Sequence, residues 1–245
     1  MHRYKLIIEY FGPGFVGWQK QPDSVSVQGV MEDTVFAFTK QNPVIYAAGR
    51  TDSGVHARGQ VVHFDLDERF DPHRLMRALN HFVRPHEISI ISCEEVGEDF
   101  HARFSALKRY YEYIILNRSA YSVIDRDRVW HCHQNLDIEK MREGAKFLIG
   151  HHDFSSFRAK ECQAHSPIKT LDKIEIVREG EYIKFYVSAK SFLHHMVRNI
   201  VGTLSMVGEG KFQPEDVQRI LDAKDRAVAG VTAPAEGLYF MRVDY

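Results

Sequence analysis

Apolar residues recur along this chain with two periods, near two and near 3.6, and the switches between them mark out its elements. Residues 4–10 alternate loosely around β-branched Ile7 and Ile8 and predict a first strand. A turn-rich segment, Gly12-Pro13-Gly14-Phe15-Val16-Gly17-Trp18-Gln19, follows it. Ser26 then caps a helix over 27–40, with Val27, Val30, Met31, Thr34, Val35 and Phe38 at helical spacing. Pro43 returns the chain to a short buried strand at 44–48, and Gln60-Val61-Val62-His63-Phe64 reads as the next. Asp71-Pro72 is a cap followed by proline at the first helical position, opening a helix with Leu75, Met76, Leu79 and Phe82 on one face. Residues 88–96 are strand-like. The order strand, helix, strand, strand, helix, strand is the split ferredoxin-like pattern.

A second series begins near residue 105, where Arg109-Tyr110-Tyr111-Glu112-Tyr113-Ile114-Ile115 is of the same type as the opening strand. A turn-rich segment runs to Trp130, and a helix over 137–148 puts Ile138, Met141, Ala145 and Leu148 inward. Strands at 171–178 and 182–189 are joined by the turn Arg178-Glu179-Gly180-Glu181. The strongest helix spans 192–207, with an apolar stripe of Met196, Val197, Ile200, Val201, Leu204 and Val207 and an opposite side of His195, Arg198, Asn199 and Gly202. A helix at 214–223 and a strand at 238–243 complete the series. The expectation is an α+β protein of two ferredoxin-like halves, 1–104 and 105–245. Their mostly antiparallel sheet would carry helices on one face and a central cleft.

Length and composition narrow the class. The chain has 245 residues, 44% of them hydrophobic, which suits one large or two ordinary globular domains. No run of 18 apolar residues occurs and no signal-peptide core follows Met1, so a soluble cytoplasmic protein is expected. Cys93, Cys132 and Cys162 are odd in number and widely spaced, which fits a reducing compartment. His131-Cys132-His133 with Cys162 and His165 lack the pair spacing of a zinc site, and no metal is expected. A net charge of -1 does not announce a nucleic-acid binder, so any RNA surface must come from segregated charge. Span 101–118 offers some, with Arg103, Lys108, Arg109 and Arg118 against Glu112.

The chemistry concentrates in Gly49-Arg50-Thr51-Asp52-Ser53-Gly54-Val55-His56-Ala57, a loop held between two strands. Glycines at 49, 54 and 59 admit backbone angles closed to other residues and let a partner approach the main chain. Arg50 and Asp52, if both partly buried, would interact, and the guanidinium would keep the carboxylate ionised as a nucleophile or base. The same pair could equally pin a glycine-rich turn. A phosphate loop is excluded, because Val55-His56 stands where Lys and Ser or Thr are required. A hydrolase using Asp52 would need a second carboxylate, which the loop does not supply. An RNA-binding module without catalysis would call for an aromatic signature that Tyr111 and Tyr113 only partly echo.

Several segments taken together resemble the tRNA pseudouridine synthase A family: the loop above, Phe100-His101-Ala102-Arg103-Phe104-Ser105-Ala106, and Phe192-Leu193-His194-His195-Met196-Val197-Arg198-Asn199-Ile200-Val201-Gly202. Asp153-Phe154-Ser155-Ser156-Phe157 and Glu236-Gly237-Leu238-Tyr239 extend the resemblance over nearly the whole chain. It implies isomerisation of uridine to pseudouridine in the anticodon stem-loop of tRNA, at positions 38, 39 and 40, without cofactor or metal. It further implies a homodimer and the pseudouridine synthase fold. Residue by residue, Asp52 matches the family's catalytic aspartate and Tyr111 its substrate-contacting tyrosine. Arg50 and Arg198 fall in motifs similar to those of its active-site arginines.

Overall fold

A computed structural model describes residues 1–245, which fold as two compact units, one of residues 1–107 with 239–245 and one of 108–238. In the first unit the elements are β1 (His2–Tyr10), α1 (Val27–Thr39), β2 (Tyr46–Ala47), β3 (His56–Leu66), α2 (Pro72–Phe82), β4 (Ile88–Val96) and β10 (Leu238–Asp244), whose first residue falls in the other unit. Strand β1 lies between β4 and β3, antiparallel to both, and β2 pairs with the far edge of β3. This is the order 4-1-3-2 of the ferredoxin-like pattern. Alternate residues Tyr4, Leu6, Ile8 and Tyr10 of β1 are buried, as one covered sheet face requires. The helices start where the sequence predicts: Ser26 accepts from Gly29 N–H, and Asp71 from Arg74 N–H.

The second unit holds β5 (Lys108–Asn117), β6 (Trp130–Cys132), α3 (Ile138–Lys146), β7 (Gly150–Asp153), β8 (Ile168–Glu179), β9 (Tyr182–Ala189), α4 (Met196–Gly208) and α5 (Asp216–Ala223). Strand β9 sits between β5 and β8 in antiparallel ladders, β7 extends the sheet beyond β8, and β6 pairs parallel to the end of β5. The fold is α+β with antiparallel pairing predominant, as the sequence predicts. No helix is long and apolar enough to cross a membrane.

Several expectations are corrected. Strand 44–48 shrinks to two residues, because the Ile45 backbone bonds to α1 side chains: Gln28 Nε2 donates to its carbonyl and its N–H donates to Glu32 Oε1. Strand β3 begins at His56, so Gly59 lies inside a strand instead of the loop. Gly59 is needed there for space, since a Cβ would stand 2.4 Å from the Met241 carbonyl oxygen. On α2 only Leu75 and Leu79 are buried, and Phe82 is 43% exposed. Residues 192–195 do not join α4, because their backbone is tied to another segment: His194 accepts from Ala159 N–H and donates to Cys162 Sγ. On the side of α4 opposite the apolar stripe, Asn199 and Gly202 are buried and Arg198 is half-buried. Strand β7 carries no alternation that predicts it. The terminal strand belongs with the first unit, where Tyr239 and Phe240 run parallel to His56 and Ala57 of β3.

Candidate active site

The reactive loop spans β2 and β3, and its backbone is fastened at almost every residue. Ala48 N–H donates to Val61 O at 2.8 Å, and Gln60 Nε2 donates to Gly49 O at 2.7 Å. The Thr51 carbonyl accepts from Trp18 N–H at 3.0 Å, while its hydroxyl is 2.7 Å from the buried Tyr10 hydroxyl. Asp52 O accepts from Val55 N–H, and Ser53 Oγ donates to Phe15 O at 3.2 Å. Gly54 turns the chain with φ of 79°, in the left-handed region that favours glycine.

The turn-rich segment after β1 forms the bed of this loop. A Cβ on Gly17 would come within 2.7 Å of Thr51 O, and one on Gly12 within 2.4 Å of Gly54 O, so both glycines are required by close approach of two backbones. Gly12 N–H donates to His56 Nδ1 at 3.0 Å, which leaves that ring nitrogen as an acceptor. The His56 ring stacks on Tyr239 at 4.6 Å, and the Arg58 guanidinium lies over the same Tyr239 ring at 5.3 Å. On this frame Asp52 is half-buried and Arg50 is exposed. The condition of joint partial burial is therefore met by Asp52 and not by Arg50.

In the second unit, Tyr111 sits mid-strand on β5 opposite Val187, with its ring edge-on to Phe192 at 5.0 Å. Arg198 lies in the first turn of α4, half-buried, and is locked on both sides to residue 233: Nε donates to Ala233 O at 2.7 Å and Ala233 N–H donates to Arg198 O at 3.1 Å. Beneath it is a polar network that the sequence reading missed. Asn199 Nδ2 donates to Phe157 O, and Asn199 Oδ1 accepts from Thr232 Oγ1 at 2.7 Å and Arg226 Nη2 at 3.1 Å. Burial lowers the affinity of Arg226 for its proton. Thr203 Oγ1 accepts from Gly230 N–H, so α4 side chains hold residues 226–233 in place.

The four basic residues of span 101–118 do not form one patch. Lys108 pairs with Asp172 at 3.1 Å and Arg118 with Glu181 at 2.8 Å, at opposite ends of a strand about 30 Å long. Arg109 is buried and donates to Lys190 O, and Arg103 lies over the exposed ring of Phe104. Proximity in sequence along an extended strand spreads charge instead of concentrating it.

The first unit thus presents an aspartate on a strand-braced loop of a ferredoxin-like α+β sheet, and the second carries an arginine on a helix and a tyrosine mid-strand. The sequence profile described as tRNA pseudouridine synthase matches residues 6–105 and 145–245, and the chain belongs to that family, isomerases acting on tRNA. It is similar to a tRNA pseudouridine synthase A of Ehrlichia chaffeensis, 50% identical over 244 residues, which cover 99% of this chain and all of the relative. It is also similar to a tRNA pseudouridine synthase A of Anaplasma phagocytophilum, 52% identical over 245 residues, with coverage of 99% and 100%.

Proposed function

We propose that this chain converts uridine to pseudouridine in the anticodon stem-loop of tRNA, at positions 38, 39 and 40, with Asp52 as the catalytic carboxylate. What supports the reading most directly is the bracing of the loop around a half-buried Asp52, whose backbone is held on both sides while the side chain stays accessible. The reaction breaks the N1 to C1′ bond, turns the uracil while it is held, and joins C5 to C1′ with loss of the C5 proton. A carboxylate promotes this by attacking C1′, by adding to C6 or by removing the 2′ proton, and Asp52 serves each route.

A base inside a stem must leave its stack to react. Tyr111, held edge-on by Phe192, offers a ring for the extruded uracil, and Arg198, fixed through Ala233, offers a guanidinium to base or phosphate. The exposed Arg50 is assigned to the RNA backbone. The active unit is a homodimer in the cytoplasm, since a chain of net charge -1 gains basic surface for a folded tRNA by pairing. The test is Asp52→Asn, which keeps shape and removes charge: pseudouridine at positions 38–40 should disappear while tRNA binding persists. Turnover near the parent rate would refute the assignment.

A further inference from the structure

The loop carrying Asp52 rests on two polar side chains that come from the strands beneath it. Tyr10 is the last residue of β1 and is only 4% exposed, and Gln60 in β3 is fully buried. They are brought together by an irregularity in the ladder. Ile8 faces Gln60, but Tyr10 faces Ala57, so β3 accommodates one extra residue at 58–59. Such a bulge re-aims side chains, and bulges gather beside active sites. Residues opposite one another share a face, so Gln60 lies diagonally next to Tyr10 on the buried side.

We propose that Tyr10 and Gln60 are positioning residues for the reaction, holding Asp52 through the residues that precede it. The inference rests on the reading of Asp52 as the catalytic carboxylate. Tyr10 reaches the loop one residue before Asp52, at Thr51 Oγ1, and Gln60 reaches it three residues before, at Gly49 O. Tyr10 and Gln60 thus stand side by side under one stretch of the loop, each with its own bond to it. Burial, with a smaller push from the Asp52 charge, raises the phenol to about 12, so Tyr10 stays neutral and acts through its hydrogen bonds.

A purely structural role fits this arrangement poorly. Gln60 Oε1 is buried without a hydrogen-bond partner, which is a standing cost that an aliphatic residue in the same strand would avoid. What the amide supplies in return is the bond to Gly49 O. Neither residue acts on the reacting atoms, so loss of either should slow the chemical step and leave tRNA affinity alone.

The experiment compares single-turnover rate at saturating tRNA, tRNA Kd and thermal midpoint for Tyr10→Phe, Thr51→Val, Thr51→Ser and Gln60→Leu, with Asp52→Asn alongside. Tyr10→Phe and Thr51→Val should each slow the step roughly 10- to 100-fold, since small misplacements of a reacting group cost that much, with Kd within about twofold. Thr51→Ser, which keeps the hydroxyl, should return the rate to within a few-fold of the parent. The Tyr10→Phe, Thr51→Val double variant should be no slower than either single variant, because both break one bond. Should Tyr10→Phe fail to fold, the Thr51→Val and Thr51→Ser comparison decides. Parent-like rates for Tyr10→Phe and Thr51→Val beside an inactive Asp52→Asn would overturn this inference alone. So would losses that track Kd or unfolding. An active Asp52→Asn would overturn the reading beneath it.

Discussion

His63 should make the first unit acid-labile, in a pH window set by one ring nitrogen. The side chain is 2% exposed in the middle of β3, packed face to face with Tyr46 at 5.1 Å and edge-on to His101 at 4.5 Å. Its Nδ1 accepts from Ala102 N–H at 3.2 Å, so a proton there would face a donor. Burial chiefly, with His101 and Arg3 adding to it and Asp65 opposing, pushes the imidazole down to about 4. Unfolded, the ring titrates near 6.5, so between the two values the unfolded chain binds the proton and the folded chain does not. The contribution is therefore intact above about pH 6.5 and is lost as pH falls through about 4. At about 1.4 kcal/mol per pH unit, roughly 2 kcal/mol is lost by pH 5 and about 3 by pH 4. His63→Gln keeps an acceptor for Ala102 and cannot titrate. Urea unfolding at pH 7 and pH 5, followed by hydrogen exchange in β1 and β3 peptides, reads this unit separately. The variant should lose about 2 kcal/mol less than the parent over that interval. Equal losses would refute the argument and assign the acid limb to other groups, Asp65 and His101 first.

Tyr111→Ala should abolish most turnover and Tyr111→Phe much less, if the ring is used for stacking; equal single-turnover losses would instead implicate the hydroxyl. Gly202→Ala should destabilise the second unit by about 3 kcal/mol or more, since its Cβ would meet Val231 O at 1.8 Å, whereas Gly180→Asn, in open space at φ 61°, should be nearly neutral. Thermal melts of the two side by side check this. Asn199→Leu strips partners from Phe157 O, Thr232 and Arg226 together, and should cost about 2–4 kcal/mol in urea unfolding. Arg3→Lys should cost about 1–2 kcal/mol, because the two-pronged pairing with Asp65, at 2.7 and 2.8 Å, cannot be made by an ammonium.

Elements with a regular face were legible because burial repeats with the backbone: β1, α1, β9 and the apolar stripe of α4 all lie where the period placed them. The reactive loop was legible too, since its residues are contiguous and its glycines and charges stand out. What failed was set by partners distant in sequence. Strand 44–48 shortens because α1 side chains take the Ile45 backbone, and α4 starts late because residues 159 and 162 hold His194. Charge along β5 looked clustered until Asp172, Glu181 and the Lys190 carbonyl each took one residue of it.

The polar interruptions inside otherwise apolar elements share one cause. Gln28 in α1 bonds the carbonyl of Ile45, Gln60 in β3 bonds that of Gly49, Asn199 in α4 bonds that of Phe157, and Thr203 receives the N–H of Gly230. In each case a buried side chain on a rigid element satisfies a backbone group that no ladder or helix can reach, which is where burial would otherwise exact its penalty. Irregular backbone is what a loop needs to present Asp52 or to lock Arg198, so the polar residues under it are the counterpart of the residues proposed to act above. A polar position that breaks the period of a buried strand or helix therefore points to the loop it holds. By that reasoning Gln60, between Gly59 and Val61 in an eleven-residue strand, marks the Asp52 loop from below as plainly as the glycines mark it from within.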